Sequence, residues 1–181
     1  MTRQPETHRS RVGISSCLLG NSVRYDGGHK RDACCTDVLS DHFEWVSVCP
    51  EVEIGMGTPR EAVRLVGGPA QPRMIGSETG HDWTDEMIQY ARMRVQELVR
   101  LDLDGYVLKS KSPSCGMQRV AIDWGEGAPP GAGAGLFARE LMAACPDLPV
   151  VEETFLRDPK RRESFVAQVA SRRLRRTQSG A

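Results

Sequence analysis

Asp82-Trp-Thr-Asp-Glu-Met-Ile-Gln-Tyr-Ala-Arg-Met-Arg-Val-Gln-Glu-Leu-Val-Arg-Leu101, followed closely by Gly105-Tyr-Val-Leu108, is the stretch that decides the fold. Met87, Ile88, Ala91, Val95, Leu98 and Val99 recur at helical spacing and give one apolar face. The Gly105–Leu108 run is short, apolar and bounded by turn residues, which reads as a buried strand. Upstream, Val12-Gly-Ile14 and Trp45-Val-Ser-Val48 repeat the strand pattern. Downstream, a helix over Gly135–Ala144 stops at Cys145-Pro146, because proline disfavours a helical residue before it. Leu148-Pro-Val-Val151 supplies a fourth strand, and Asp158-Pro159 caps a last helix reaching about Arg176. Ala62–Val66 and Arg73–Ile75, across a Gly/Pro-rich turn, read as a hairpin. Strands alternating with helices predict an α/β fold, a single doubly wound (Rossmann-like) domain with a mainly parallel sheet and a small added hairpin.

The folded unit is expected over 12–176, between polar tails at 1–11 and 177–181. Trp124–Gly135, with five glycines and two prolines, is expected to be a lid or a disordered excursion. Basic and acidic residues balance at 24 each, so no overall field draws in nucleic acid or an anionic membrane. The basic segments Lys160–Arg162 and Arg172–Arg176 read as a solvated helix face. No apolar run approaches the roughly 20 residues needed to span a bilayer, and the first residues lack a secretory core. The expected location is cytoplasmic, with no membrane partner. Six cysteines there stay reduced, which favours reactive or metal-bound thiols over disulfides.

Cys17, Cys49 and Cys115 each follow the carboxyl end of a predicted strand. In an open parallel sheet those ends share one edge, where ligands bind. Ordinary buried cysteines would suit the strands themselves; these sit among Ser, Pro and Gly, a setting suited to ligation. Three thiolates fit a four-iron cluster with one open iron, whereas structural zinc takes four protein ligands, and zinc with a water in the fourth place stays open. Glu51 lies two residues past Cys49, in reach of the same crevice as a general acid or base. Ser112 begins the Ser-Pro-Ser-Cys turn that ends at Cys115 and can aim a hydroxyl at a ligand or simply hold the turn. Arg24, Tyr25 and Asp26, in the loop after Cys17, suit a polar ring or an anion, and Lys111 belongs with them. Cys34, Cys35 and Cys145 read as structural.

Taken together, Ile14–Gly20, Val23–Lys30, Val48–Gly55, Thr58–Glu61 and Lys109–Gly116 resemble, in order and over about Val12–Phe165, a bacterial family typified by thiouracil desulfidase. The resemblance implies a 4Fe-4S cluster on three cysteines matching Cys17, Cys49 and Cys115. It also implies acid/base and assisting roles at Glu51 and Ser112, and a small thiolated pyrimidine as substrate. Cys34 and Cys35 depart from the family pattern. A sulfur-carrier or thiol redox module, or a desulfidase for thiolated RNA, are the alternatives.

Overall fold

The computed structural model describes residues 9–68, 70–125 and 131–179. Its first sheet comprises β1 (Ser10–Ser15), β2 (Phe43–Val48), β5 (Gly105–Leu108) and β8 (Val150–Glu152), in the order β2-β1-β5-β8 and parallel throughout. The chain leaves β1 for β2 on one side and returns as β5 on the other. The strand order therefore reverses at β1, which makes the carboxyl ends of β1, β2 and β5 a topological switch point.

Helices cover both faces. α2 (Thr84–Arg100) and α3 (Leu136–Ala144) pack Met87, Ala91, Val95, Phe137 and Leu141 with Tyr106 and Leu108. α4 (Pro159–Ser179) packs Phe165 and Val169 against Val12, Ile14 and Val107 on the other. Strand alternation produces the split, since Tyr106 and Leu108 face one layer and Val107 the other. Gly13 is required by this packing, because a Cβ there would lie 2.2 Å from the buried Tyr106 ring.

The predicted hairpin is present as β3 (Val63–Val66) and β4 (Arg73–Gly76), but it is half of a second sheet rather than an appendage. β3 also pairs in parallel with β6 (Val120–Asp123), and β6 in antiparallel with β7 (Gly131–Gly133). The expected lid over 124–135 is corrected to this extent: Gly131–Gly133 is a strand, and residues 126–130 lie outside the described residues. The polar ends are also shorter than expected. Ser10 and Arg11 belong to β1, where they pair with Phe43 and Glu44, and α4 continues through Thr177 to Ser179. No described helix is long and apolar enough to cross a membrane.

Candidate active site

At the switch point lies a cavity of about 320 Å3 lined by Cys17, Cys49 and Cys115 together with Glu51, Ser112, Arg24, Tyr25 and Lys111. Cys17 sits in a 3-10 turn, Ser16–Leu19, directly after β1. Its carbonyl accepts the N–H groups of Gly20 at 3.3 Å and Lys30 at 2.9 Å, which closes the Arg24–Arg31 loop back over the strand end. Cys49 caps α1 (Pro50–Glu53), a single turn entered through proline. The Ser112 hydroxyl accepts the N–H groups of Ser114 at 3.3 Å and Cys115 at 3.1 Å and so shapes the turn around Cys115. Gly116 closes that turn where a Cβ would meet Val120 at 2.3 Å.

The three thiols act on one another electrostatically. Burial pushes the Cys17 thiol up to about 11, Cys49 adds to this, and Lys109 and Arg24 oppose it. Cys49 is raised by burial and by the Glu51 charge, against a Val52 backbone hydrogen bond and Arg60. Burial raises Cys115 further, and Glu51, Cys17 and Cys49 add to it against a hydrogen bond from Ser15. Buried thiolates that repel one another become a stable donor set when a cationic centre binds them. The donor chemistry therefore fits a metal cluster. Among the described residues no three His, Cys, Asp or Glu side chains are grouped tightly enough for one ion. All three thiols line the same cavity.

Glu51 is held on both oxygens. Arg60 donates to Oε2 from Nε at 3.0 Å and Nη2 at 2.5 Å, and the Ser114 hydroxyl donates to Oε1 at 2.8 Å. Arg60 is only 5% exposed and also donates to the carbonyls of Val23 and Gly57. Neither Arg60 nor Ser114 was identified as a site residue from sequence, although both stand inside the quoted strings Thr58–Glu61 and Lys109–Gly116. Lys30 and Lys109 also line the cavity. Lys111 takes a left-handed φ of 61°, strain of a kind that collects at functional sites. Asp26 does not line the cavity: it accepts from Arg24 at 3.3 and 3.4 Å and from the Gly28 N–H at 3.0 Å, so it orients Arg24 instead. Arg24 in turn lies 5.3 Å from the Tyr25 ring centroid.

Glu152 and Glu153, where β8 ends, fasten both sides of the Cys115 turn. Glu152 accepts the Met117 N–H at 2.9 Å. Glu153, 3% exposed, accepts from Lys109 Nζ at 2.5 Å and from the Ser110 N–H and hydroxyl at 2.7 Å each. Burial alone would raise the Glu153 carboxyl, but the hydrogen bonds from Lys109 and Ser110 outweigh it and hold it below its ordinary value. A lowered carboxyl stabilises the fold above the unfolded-state value, and the contribution is lost as pH falls through the folded-state value. Urea unfolding of cluster-free protein should show Glu153→Gln less stable by about 3 kcal/mol at pH 7, because Lys109 loses its buried partner. The gap should close as the pH drops below the ordinary glutamate value of about 4.3. A gap that persisted unchanged in acid would count against the ion pair as its source.

Reduced thiols at a switch point, beside a carboxylate fixed by arginine and serine, define an enzyme site of the sulfur- or metal-handling kind. A model of the 2-thiouracil desulfurase family matches residues 12–153. The chain belongs to that family. YbbK, an uncharacterized protein of Bacillus subtilis strain 168, is 31% identical over 108 residues, covering 57% of this chain and 71% of YbbK. The solved structure of the 4Fe-4S-dependent thiouracil desulfidase TudS matches with a TM-score of 0.67 at 28% identity, over 86% of this chain and 97% of that one.

Proposed function

We propose that the protein removes sulfur from a small thiolated pyrimidine, thiouracil to uracil plus hydrosulfide, with a 4Fe-4S cluster on Cys17, Cys49 and Cys115. The observation that carries this reading is the convergence of three thiols and the tethered Glu51 on one cavity. Three thiolate ligands around one cavity suit an iron–sulfur cluster. A cluster bound by three thiolates supplies an iron without a protein ligand, a Lewis acid for the thiocarbonyl sulfur.

The remaining chemistry falls to side chains. Glu51 takes a proton from water at Oε1, beside the Ser114 hydroxyl, while Arg60 keeps the carboxylate in place through Oε2. The water oxygen adds to the ring carbon and the carbon–sulfur bond breaks. One water is consumed, hydrosulfide and a proton are released, and no electron is gained or lost. Tyr25 offers a ring face, and Arg24 and Lys111 offer donors for pyrimidine oxygens at the cavity wall. The Ser112 oxygen already accepts two N–H groups, which leaves its proton to donate toward substrate.

A small substrate is supported by the last helix as well. Arg172 donates to the carbonyls of Leu103 and Asp147, and Arg176 meets Asp102 and Asp104, so these charges bind the protein to itself. The need to keep the thiols reduced supports a cytoplasmic location. Anaerobic reconstitution should give about four irons and four sulfides per chain. That preparation should convert thiouracil to uracil and hydrosulfide without ATP or added reductant. Stoichiometric zinc without sulfide would end the proposal, and turnover of thiolated RNA alone would move the substrate to a polymer.

A further inference from the structure

The single turn of α1 carries two carboxylates that face opposite ways. Glu51 meets Arg60 and Ser114 beside the cavity, whereas Glu53 does not line it. Glu53 Oε1 accepts the backbone N–H of Cys49 at 2.9 Å. Its Oε2 accepts the Tyr90 hydroxyl at 2.6 Å and lies 3.4 Å from Arg94 Nε. β2 ends at Val48, so the Cys49 N–H falls outside the strand pairing and has Glu53 as its acceptor.

The anchor on the far side is rigid. Tyr90 and Arg94 stand one turn apart on the same face of α2. The Tyr90 ring lies 6.4 Å from that of Phe137, and Arg94 is steadied by Glu97 at 2.7 Å. Burial, and then the Glu53 hydrogen bond, raise the Tyr90 phenol, which keeps it a donor. A helix of four residues does not hold itself in water, so α1 takes its orientation from what grips it. Arg60 and Ser114 grip it at Glu51, and α2 grips it at Glu53.

We propose that Glu53 is a positioning residue for Cys49, transmitting the fixed geometry of α2 through Tyr90 and Arg94 to the backbone of that cysteine and so to the direction of its sulfur. The functional meaning rests on Cys49 being a cluster ligand; the tether itself does not. Loss of an outer partner that orients a ligand typically costs 10–100-fold in metal affinity. Glu53 also keeps the Cys49 N–H and its own charge set relative to the bound sulfur, and hydrogen bonds and net charge near a cluster set its reduction potential.

The test uses Glu53→Ala, Glu53→Gln and Tyr90→Phe. In cluster-free protein, amide exchange at Cys49 should accelerate about tenfold or more in Glu53→Ala, since one bond to a charged acceptor is lost. Glu53→Gln keeps an acceptor and should stay close to wild type. In reconstituted protein, iron release to a chelator should be about 10–100-fold faster in Glu53→Ala, with near-normal release in Glu53→Gln. The cluster's reduction potential should rise in both Glu53→Ala and Glu53→Gln, since each removes the Glu53 charge, a shift that a purely structural role would not produce. Tyr90→Phe removes one hydroxyl and keeps the ring, so it should move both rates in the same direction by less, and it carries the test should Glu53→Ala fail to fold. Unchanged Cys49 exchange and iron release in Glu53→Ala and Tyr90→Phe would overturn the inference. A wild type that takes up no iron, with Cys49 exchange still faster in Glu53→Ala, would instead remove the cluster and leave the tether standing.

Discussion

Replacing Glu51 with glutamine should lower thiouracil turnover by about 10²–10⁴-fold while iron content and fold stay those of the wild type. The amide matches the carboxylate in size, so the local geometry survives. Its oxygen can accept from Arg60 and its nitrogen can donate to the Ser114 hydroxyl. Arg60, which would otherwise be a buried cation without its partner, keeps the carbonyls of Val23 and Gly57. What the amide cannot do is take a proton from water. Turnover, iron and sulfide measured on one preparation separate the outcomes. Near-normal turnover would place the base elsewhere, and loss of iron would make Glu51 a ligand.

A larger effect is expected at the thiols. Cys17→Ala, Cys49→Ala and Cys115→Ala should each abolish cluster binding and turnover, because two thiolates cannot hold what three must. The same change at Cys34, Cys35 or Cys145 should leave iron content intact. None of those three lines the cavity: Cys34 donates to the Leu156 carbonyl at 3.5 Å, Cys35 is buried in the α4 layer, and Cys145 ends α3. Circular dichroism beside the iron assay distinguishes a lost ligand from a lost fold. Full iron loading after loss of any one of Cys17, Cys49 or Cys115 would contradict the assignment of that residue.

Much of this was readable because the parallel sheet writes its plan in short apolar runs. Val12–Ile14, Trp45–Val48 and Gly105–Leu108 each fall within an observed strand, and the helix over Asp82–Leu101 is seen as Thr84–Arg100. The sheet edge then gathers the three cysteines from distant parts of the chain. The second sheet was less legible. β6 shows an alternating Val120 and Ile122, a faint signal beside the glycine-rich stretch that follows, and β7 is Gly-Ala-Gly, with almost no side chain to carry a pattern. Arg60 and Ser114 were hidden for another reason. Their importance lies in partners nine and 63 residues away, and no local spacing announces such pairs.

The strand order has a consequence for the order of events in the protein's life. β1 reaches β5 across half of the chain, with Val12 paired to Gly105, so Cys115 cannot join Cys17 and Cys49 until that long loop has closed. Such distant parallel pairings form slowly, after local helices are already in place. No partial product of synthesis that stops short of β5 contains the third thiol beside the other two. The three-thiol site is therefore a late product of folding: it exists only once β5 has docked beside β1.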